Sequence, residues 1–151
     1  MKICYVNPTN NIRRPIAELS KLLAKQGYQI GIMYPESSQC PTKDWVANET
    51  VKTSPIEKKS ISSFYIPALR YSFPNLLKLL KETRKMFKQY EKIHIWEYYY
   101  PISTIPLLYA LVTGQRDKVI LTTDGFVGYS YNPRDPKWLG PAFKVYTQFL
   151  A

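Results

Sequence analysis

Residues 92–101 read KIHIWEYYYP, a short apolar stretch that changes after Trp96 into a polar and aromatic loop. Residues 118–126 (KVILTTDGF) have the same form, with the change after Thr123. The chain opens with a third example in residues 2–11 (KICYVNPTNN). Short apolar runs of this kind are typical of buried parallel strands, and open parallel sheets bind ligands at the carboxyl ends of their strands. Three strand ends are therefore predicted to line one crevice.

The residues after the first strand predict a βαβ unit. Residues 13–27 form a helical pattern in which Pro15 suits the first turn and Gly27 suits the stop. Residues 29–35 (QIGIMYP) then predict a second strand. The apolar residues of the helix are expected to share one stripe, which consists of Ile16, Leu19, Leu22 and Leu23.

Further strands and helices alternate along the rest of the chain. Weak strands are predicted at residues 49–53 and 61–66, and a helix is predicted over residues 74–90. The next helix is expected within residues 102–112 and to start near residues 103–105, because Pro106 would kink a longer one. The helix at 74–90 is expected to bury one face, formed by Leu76, Leu80, Thr83, Phe87 and Tyr90. This alternation favours an α/β fold, a Rossmann-like doubly wound and mostly parallel sheet in a single domain over residues 1–151.

Composition limits the partners. The 21 lysines and arginines outnumber the 11 acidic residues, and the net charge of +10 favours phosphate-rich partners such as nucleotides, anionic lipid or nucleic acid. Cys4 and Cys40 provide neither a disulfide framework nor a metal cluster, so a reducing, cytoplasmic setting is expected. No stretch has the length of a spanning helix or a secretory signal, and any membrane contact is expected to be peripheral.

The layout resembles the N-terminal domain of GT-B glycosyltransferases of the retaining, family-four kind. The resemblance lies in residues 1–35, in residues 93–99 (IHIWEYY) and in residues 119–126 (VILTTDGF). It implies an acceptor-side domain, with the donor-binding C-terminal domain outside this chain. It also implies a nucleotide-sugar donor, a lipid-linked or glycan acceptor, no metal or other cofactor, and no activity for this domain alone.

Two departures from the family pattern affect the site. Family members commonly have a glycine pair in the loop after the first strand, whereas this chain has residues 7–14 (NPTNNIRR). Many members carry a histidine where Asp124 stands, and the resemblance therefore implies that Asp124 is the catalytic position. Asp124 can accept a hydrogen bond from a sugar hydroxyl, although Asp124-Gly125 is equally a tight-turn dipeptide.

The predicted cleft residues follow the three strand ends. Arg13 and Arg14 lie where a helix N-terminus can hold a phosphate, unless they are solvated surface. Glu97 would add a carboxylate to the crevice or be plain surface, whereas His94 is expected to be packed within its strand. Asn10 and Asn11 are also typical of turns or of helix N-caps. The full set of cleft candidates is Thr9, Asn10, Arg13, Arg14, Glu97, Tyr98, Gly125 and Phe126.

A basic, amphipathic helix suggests contact with an anionic membrane surface on the cytoplasmic side. Aromatic residues at 64–73 precede it, and basic residues near such a surface contribute about 1 kcal/mol each. The alternative is a crossover helix whose lysines are merely solvated. The membrane-facing candidates are Arg70, Lys78, Lys81, Arg84, Lys85 and Lys88.

Two other classes of function compete with the transferase. The charge and the thirteen tyrosines would suit a nucleic-acid surface, yet no recognition motif is present and no specific nucleic acid is expected. A basic, non-catalytic module that binds anionic lipid, glycan or nucleic acid is the second alternative.

Overall fold

The computed structural model describes residues 1–38, 55–67 and 71–123. In these ranges the chain forms six strands and three α-helices. The strands are β1 (Lys2–Val6), β2 (Gln29–Glu36), β3 (Ile56–Ile66), β4 (Tyr71–Pro74), β5 (Lys92–Trp96) and β6 (Val119–Thr122). The α-helices are α1 (Arg14–Lys25), α2 (Leu76–Gln89) and α3 (Pro101–Val112), and a 3-10 turn at Arg116–Lys118 precedes β6.

The strands form one sheet in the order β4-β3-β2-β1-β5-β6. All neighbouring pairs are parallel except β3 and β4. The strand order runs outward from β1 in one direction and then resumes on its other side at β5, so the reversal lies between β1 and β5. The structure is thus a Rossmann-like α/β domain, which confirms the predicted fold class.

Apolar residues cover both faces of the sheet, as a parallel sheet requires. On one face Tyr5 and Ile32 belong to a buried cluster with Ile16 of α1. On the other face Val6 and Ile95 belong to a second cluster with Phe87 of α2. Alternate residues of the same strand therefore contribute to different cores, and the strand ends project between the two layers.

The helices exist as predicted, but their buried stripes differ from the predicted ones. In α1 the buried residues are Ile16, Ala17 and Ser20, while Leu22 is 55% exposed. The predicted stripe is right at Ile16 and in part at Leu23, which packs against the same cluster, and it is wrong at Leu19 and Leu22, because the helix turns the small residues Ala17 and Ser20 toward the sheet instead. Of the face predicted for α2, Thr83, Phe87 and Tyr90 are buried, whereas Leu76 and Leu80 are exposed. Leu79 and Met86 complete the buried face of this helix.

Helix α3 begins earlier than predicted and contains Pro106 in its interior. Pro101 occupies the first turn, where its missing N–H costs nothing. The Tyr100 carbonyl accepts hydrogen bonds from the amides of Ser103 and Thr104, each at 2.8 Å. The expected start of the helix near residues 103–105 is therefore wrong. Pro101 stabilises the earlier start, although Pro106 was expected to prevent a helix that begins before it.

The β3–β4 pair is more extensive than the sequence pattern indicated. β3 begins at Ile56 rather than at residue 61, and β4 was not predicted. The two strands pair antiparallel with Phe64 opposite Phe73, whose ring centroids are 5.4 Å apart. The weak strand predicted at residues 49–53 lies outside the described residues.

Tyr90, which follows α2, packs directly against the backbone of Gly31 in β2. Its hydroxyl donates a hydrogen bond to Glu57 Oε2 at 2.7 Å, and burial together with this bond raises the pKa of Tyr90. A Cβ added at Gly31 would overlap the Tyr90 hydroxyl and lie 2.6 Å from Cζ. Residue 31 must therefore be glycine because the Tyr90 ring leaves no space for a Cβ atom. The backbone conformation at this position does not itself require glycine.

Substitution Gly31→Ala is expected to lower the free energy of unfolding by about 1 to 3 kcal/mol, because it overpacks this contact. Urea denaturation measures the change. In a Tyr90→Leu background the same substitution should cost at least about 1 kcal/mol less, since the ring and its hydroxyl are gone. An equal cost in both backgrounds would show that the Tyr90 contact is not the cause.

Candidate functional site

The candidate site lies at the carboxyl ends of β1 and β5, where the strand order reverses. Residues 7–13 connect β1 to α1, and residues 97–100 connect β5 to α3. We call the space between these two loops the switch-point crevice. Open α/β sheets bind ligands at this position because neighbouring connections leave to opposite faces and open a gap.

The first loop is shaped by Asn7, whose side chain is completely buried. Its Nδ2 donates to the carbonyls of Thr9 at 2.5 Å and Asn11 at 3.1 Å. Its Oδ1 accepts from the amide of Arg13 at 3.0 Å, and its own amide donates to the Met33 carbonyl. Asn7 was not among the sequence-predicted site residues. Its position directly after a strand and before Pro8 is the signal that identifies such a turn-forming asparagine.

Thr9 and Asn10 hold the same loop in place and lie half-buried beside the crevice. Thr9 Oγ1 donates to the Asn11 carbonyl at 2.8 Å. Asn10 Oδ1 accepts from the amide of Ser37 at 2.9 Å, which ties the loop to the end of β2. Asn10 therefore acts as the turn former that the sequence allowed, and both residues keep their place among the candidates.

Arg13 and Glu97 form an ion pair across the crevice. Arg13 Nη2 lies 2.6 Å from Glu97 Oε2, with 27% of the Arg13 side chain and 3% of the Glu97 side chain exposed. Glu97 has a φ of +51°, a backbone conformation that non-glycine residues adopt at a cost. Its amide donates to the Thr122 carbonyl of β6 at 2.9 Å. Glu97 is therefore not plain surface, and the alternative of a solvated glutamate is wrong.

Tyrosine rings continue from Glu97 toward α3 and β4. Burial, with the nearby charge of the Glu97 carboxylate, raises the pKa of Tyr99. Its ring centroid lies 4.9 Å from that of Tyr100, which in turn lies 5.1 Å from that of Tyr71. Tyr98 meets Tyr99 edge to face at 5.9 Å and is half-buried. The second loop thus presents a wall of packed rings beside a buried carboxylate.

The structure separates the two arginines that the sequence placed together. Arg14 Nε pairs with Glu18 Oε1 at 2.6 Å on the outer surface of α1, with 79% of its side chain exposed. Of these two arginines, only Arg13 is held at the crevice. Asp124, Gly125 and Phe126 lie outside the described residues, so their predicted roles stay predictions.

His94 is packed within the sheet, as predicted. Its Nε2 lies 2.6 Å from Thr122 Oγ1, and burial lowers the pKa of its imidazole. Its ring also packs against those of Tyr5 and Trp96. Among the described residues no group of three or more metal-ligating side chains is present.

A basic and apolar surface lies on the outer side of α2. Lys78, Lys81, Arg84, Lys85 and Lys88 are all exposed, whereas Arg70 lies outside the described residues. Leu77 is 81% exposed among them, and Leu76 and Leu80 are also exposed. We call these α2 residues the basic leucine surface. Of the described helices, none is long and apolar enough to cross a bilayer.

Comparison with known proteins gives distant likenesses. No protein-family model and no curated protein matches this chain in sequence. Among solved structures, MurG of Acinetobacter baumannii is 17% identical, with a TM-score of 0.44, over 83% of this chain and 36% of its own. A short-chain dehydrogenase/reductase variant of Serratia marcescens is 12% identical, with a TM-score of 0.46, over 99% of this chain and 65% of its own. The chain thus spans less than two thirds of either protein, and at these scores neither likeness assigns a function.

Substitution Asn7→Ala is expected to lower the free energy of unfolding by about 2 to 4 kcal/mol, because it leaves buried backbone groups of the first loop without partners. Urea denaturation provides the measurement. Asn75→Ala is the matched control, since Asn75 Oδ1 caps only the exposed start of α2 and its loss should cost about 1 kcal/mol. Equal costs for the two variants would contradict the role assigned to Asn7.

Proposed function

We propose that this chain is the acceptor-side domain of a glycosyltransferase that uses a nucleotide-sugar donor. The observation that carries the proposal is the fixed arginine at the switch-point crevice. Arg13 is anchored through its amide by Asn7 and through its guanidinium by Glu97. Ligand-binding groups must be held in position before the ligand arrives, and this arrangement does so with two independent contacts. The resemblance of the strand-end segments to GT-B enzymes supplies the reaction class.

In this proposal the crevice holds the acceptor, and a donor-binding domain outside this chain holds the nucleotide sugar. Arg13, Thr9, Asn10 and Tyr98 surround the acceptor group, while Glu97 fixes Arg13. The acceptor oxygen forms a bond to the anomeric carbon of the sugar, the bond from that carbon to the nucleotide phosphate breaks, and the acceptor proton is released. Asp124 is the proposed catalytic position, retention of configuration is part of the proposal, and no metal is invoked.

Dinucleotide binding, the other common use of this fold, is disfavoured by the first loop. Dinucleotide-binding domains use glycines after β1 so that the backbone can approach a pyrophosphate. Residues 7–13 contain no glycine, and the side chain of Asn7 fills the interior of the loop. The non-catalytic module keeps its place as an alternative because the crevice would bind an acceptor equally well without a donor domain.

We also propose that the basic leucine surface binds an anionic membrane and thereby brings the domain to lipid-linked acceptors. Leu77 is exposed at the start of α2, and the exposed basic residues of the helix, beginning with Lys78 and Lys81, follow it in sequence. Exposed leucines beside lysines suit the boundary between headgroups and acyl chains, where each group finds its preferred environment. The same surface is the site at which nucleic acid would compete if the binding were only electrostatic.

Turnover of nucleotide sugars by the natural full-length polypeptide tests the transferase proposal. Release of free nucleotide is measured over a donor panel with glycan and lipid-linked acceptors. Arg13→Met should lower kcat/KM at least about tenfold through loss of an acceptor contact. Arg14→Met, which removes an arginine from the outer face of α1, should stay within about twofold. Absence of turnover with every donor would exclude the transferase and favour the binding module.

Vesicle sedimentation tests the membrane proposal. Leu77→Glu should weaken binding to phosphatidylglycerol vesicles at least about fivefold, because it removes apolar burial and adds a repelled charge. Leu22→Glu is the control, since Leu22 is an exposed leucine of α1 on the opposite face of the sheet. Equal losses for both variants, or equal binding to uncharged phosphatidylcholine vesicles, would contradict a specific anionic surface.

A further inference from the structure

We infer that residues 138–150 pack as a helix on the outer face of α3 and complete the β6 side of the domain. These residues lie outside the described part of the chain, and the surface of α3 and β6 indicates where they bind. The inference concerns an internal docking surface, so it does not depend on the proposed transferase or membrane functions.

Helix α3 is apolar on its outer side as well as on the side that faces the sheet. None of its twelve residues is charged. Leu108, Leu111 and Val112 recur at helical spacing and are all exposed, Val112 by 86%. A helix at a protein surface has a polar outer face, whereas a helix that is apolar all round is normally buried. The composition of α3 therefore indicates that another element covers its outer face.

Strand β6 extends the same apolar surface. Val119 packs against the core cluster that includes Ile102 of α3. Leu121 is two positions further along the strand, hence on the same face as Val119, and it is exposed. We call Leu108, Leu111, Val112 and Leu121 the α3–β6 surface. β6 is an outer strand of the described sheet and contains neither proline nor a charged residue, and natural proteins normally cover such edges.

The connectivity of the sheet indicates which part of the chain covers this surface. β5 and β6 are parallel neighbours joined by α3, and connections of this kind are right-handed. A helix that follows β6 and continues the sheet in the same direction crosses on the same face and lies beside α3. Consecutive elements of a chain also tend to pack together. The next helix after β6 should therefore bind the α3–β6 surface.

Residues 138–150 (WLGPAFKVYTQFL) have the pattern that this surface requires. Pro141 suits the first turn of a helix. Lys144 is the one charged residue of the segment, and Thr147 and Gln148 lie on the same side of the helical pattern. The opposite side is an apolar stripe that consists of Ala142, Phe143, Tyr146, Phe149 and Leu150. Such a helix buries its stripe against α3 and leaves its polar side in water.

Two other occupants fit the surface less well. A membrane surface favours exposed leucines beside basic residues, a combination that α2 has and α3 lacks. A second copy of the chain would cover α3 but would leave the apolar stripe of residues 138–150 without a place on the same molecule. Both occupants are distinguished from the inferred one by the experiments below.

The inferred helix has a defined direction. Because it follows β6 as α3 follows β5, and these strands are parallel, both helices start at the carboxyl edge of the sheet and run toward the amino edge. Residues 147–150 are therefore expected next to Val112, at the end of α3.

A nitroxide spin label at Val112→Cys in the complete, isotope-labelled chain tests this arrangement by NMR. The label is tolerated because Val112 is exposed, while Cys4 is completely buried and Cys40→Ser removes the other thiol. Packed helices lie about 8 to 10 Å apart, so the amide signals of residues 147–150 should lose at least about half of their intensity. Residues 138–140 should lose less, because they lie about 15 Å further along the helix.

The same label at Leu22→Cys is the matched control, since Leu22 is an exposed leucine of α1 on the other face of the sheet. It should leave residues 147–150 at full intensity. Equal losses from both labels, or none from the label at residue 112, would overturn the inference. A mixture of spin-labelled chain without isotope and isotope-labelled chain without spin label detects a second copy. Signal loss at residues 147–150 in this mixture would also overturn the inference.

Limited proteolysis provides a second measurement on the same chain. Trypsin cleaves after Lys144 only when the segment leaves the surface, so the rate follows the population of the undocked form. Leu111→Lys should raise this rate at least about fivefold, because it places a charge beneath the segment. Leu80→Lys is the matched control, since Leu80 of α2 is 47% exposed and Leu111 is 41% exposed. It should change the rate by less than about twofold, and equal acceleration by both variants would contradict docking on α3.

Discussion

The ion pair between Arg13 and Glu97 joins the two loops on which the candidate site depends. These residues are 84 positions apart in sequence and meet because β1 and β5 are parallel neighbours with their carboxyl ends side by side. The first loop leaves toward α1 on one face, and the second leaves toward α3 on the other. Each loop is also tied to the sheet, the first through Asn7 and the second through the amide of Glu97. The short ion pair, buried on the Glu97 side, joins the two loops across the gap.

The distribution of charge differs between the whole chain and the site. The net charge of +10 points to phosphate-rich partners, and the exposed lysines of α2 agree with it. At the crevice, within the part of the chain that the structure describes, Arg13 is paired with the buried carboxylate of Glu97. The excess of lysine and arginine over the whole chain therefore indicates how the protein binds charged surfaces. The charge at the crevice depends instead on the side chains of Arg13 and Glu97. The two properties belong to different parts of the molecule and can serve different ligands.

Much of the fold was predictable because it depends on local patterns. In the described ranges, five of the six strands and all three α-helices follow from apolar runs, turn residues and helical periodicity. The buried side of each helix was predictable only in part, since Leu79 and Leu80 are neighbours and only packing on the sheet distinguishes them. The early start of α3 was missed because Pro101 favours a helix that begins at residue 101, whereas Pro106 was expected to kink such a helix. At the site, Arg13 and Glu97 could be named singly, but their pairing is a long-range contact. Asn7 was missed because its role lies in three backbone contacts within a loop.

The antiparallel strand β4 affects how the domain behaves in solution. β4 is an outer strand of the described sheet, four residues long, and ends at Pro74. Exposed strand edges invite pairing with the edges of other molecules, and natural proteins limit this with short strands and prolines. Pro74 lacks an amide hydrogen, so the last position of β4 cannot donate to an added strand. The strand pair that carries Phe64 and Phe73 therefore ends this side of the described sheet in an edge that is poorly suited to pairing with strands of other molecules.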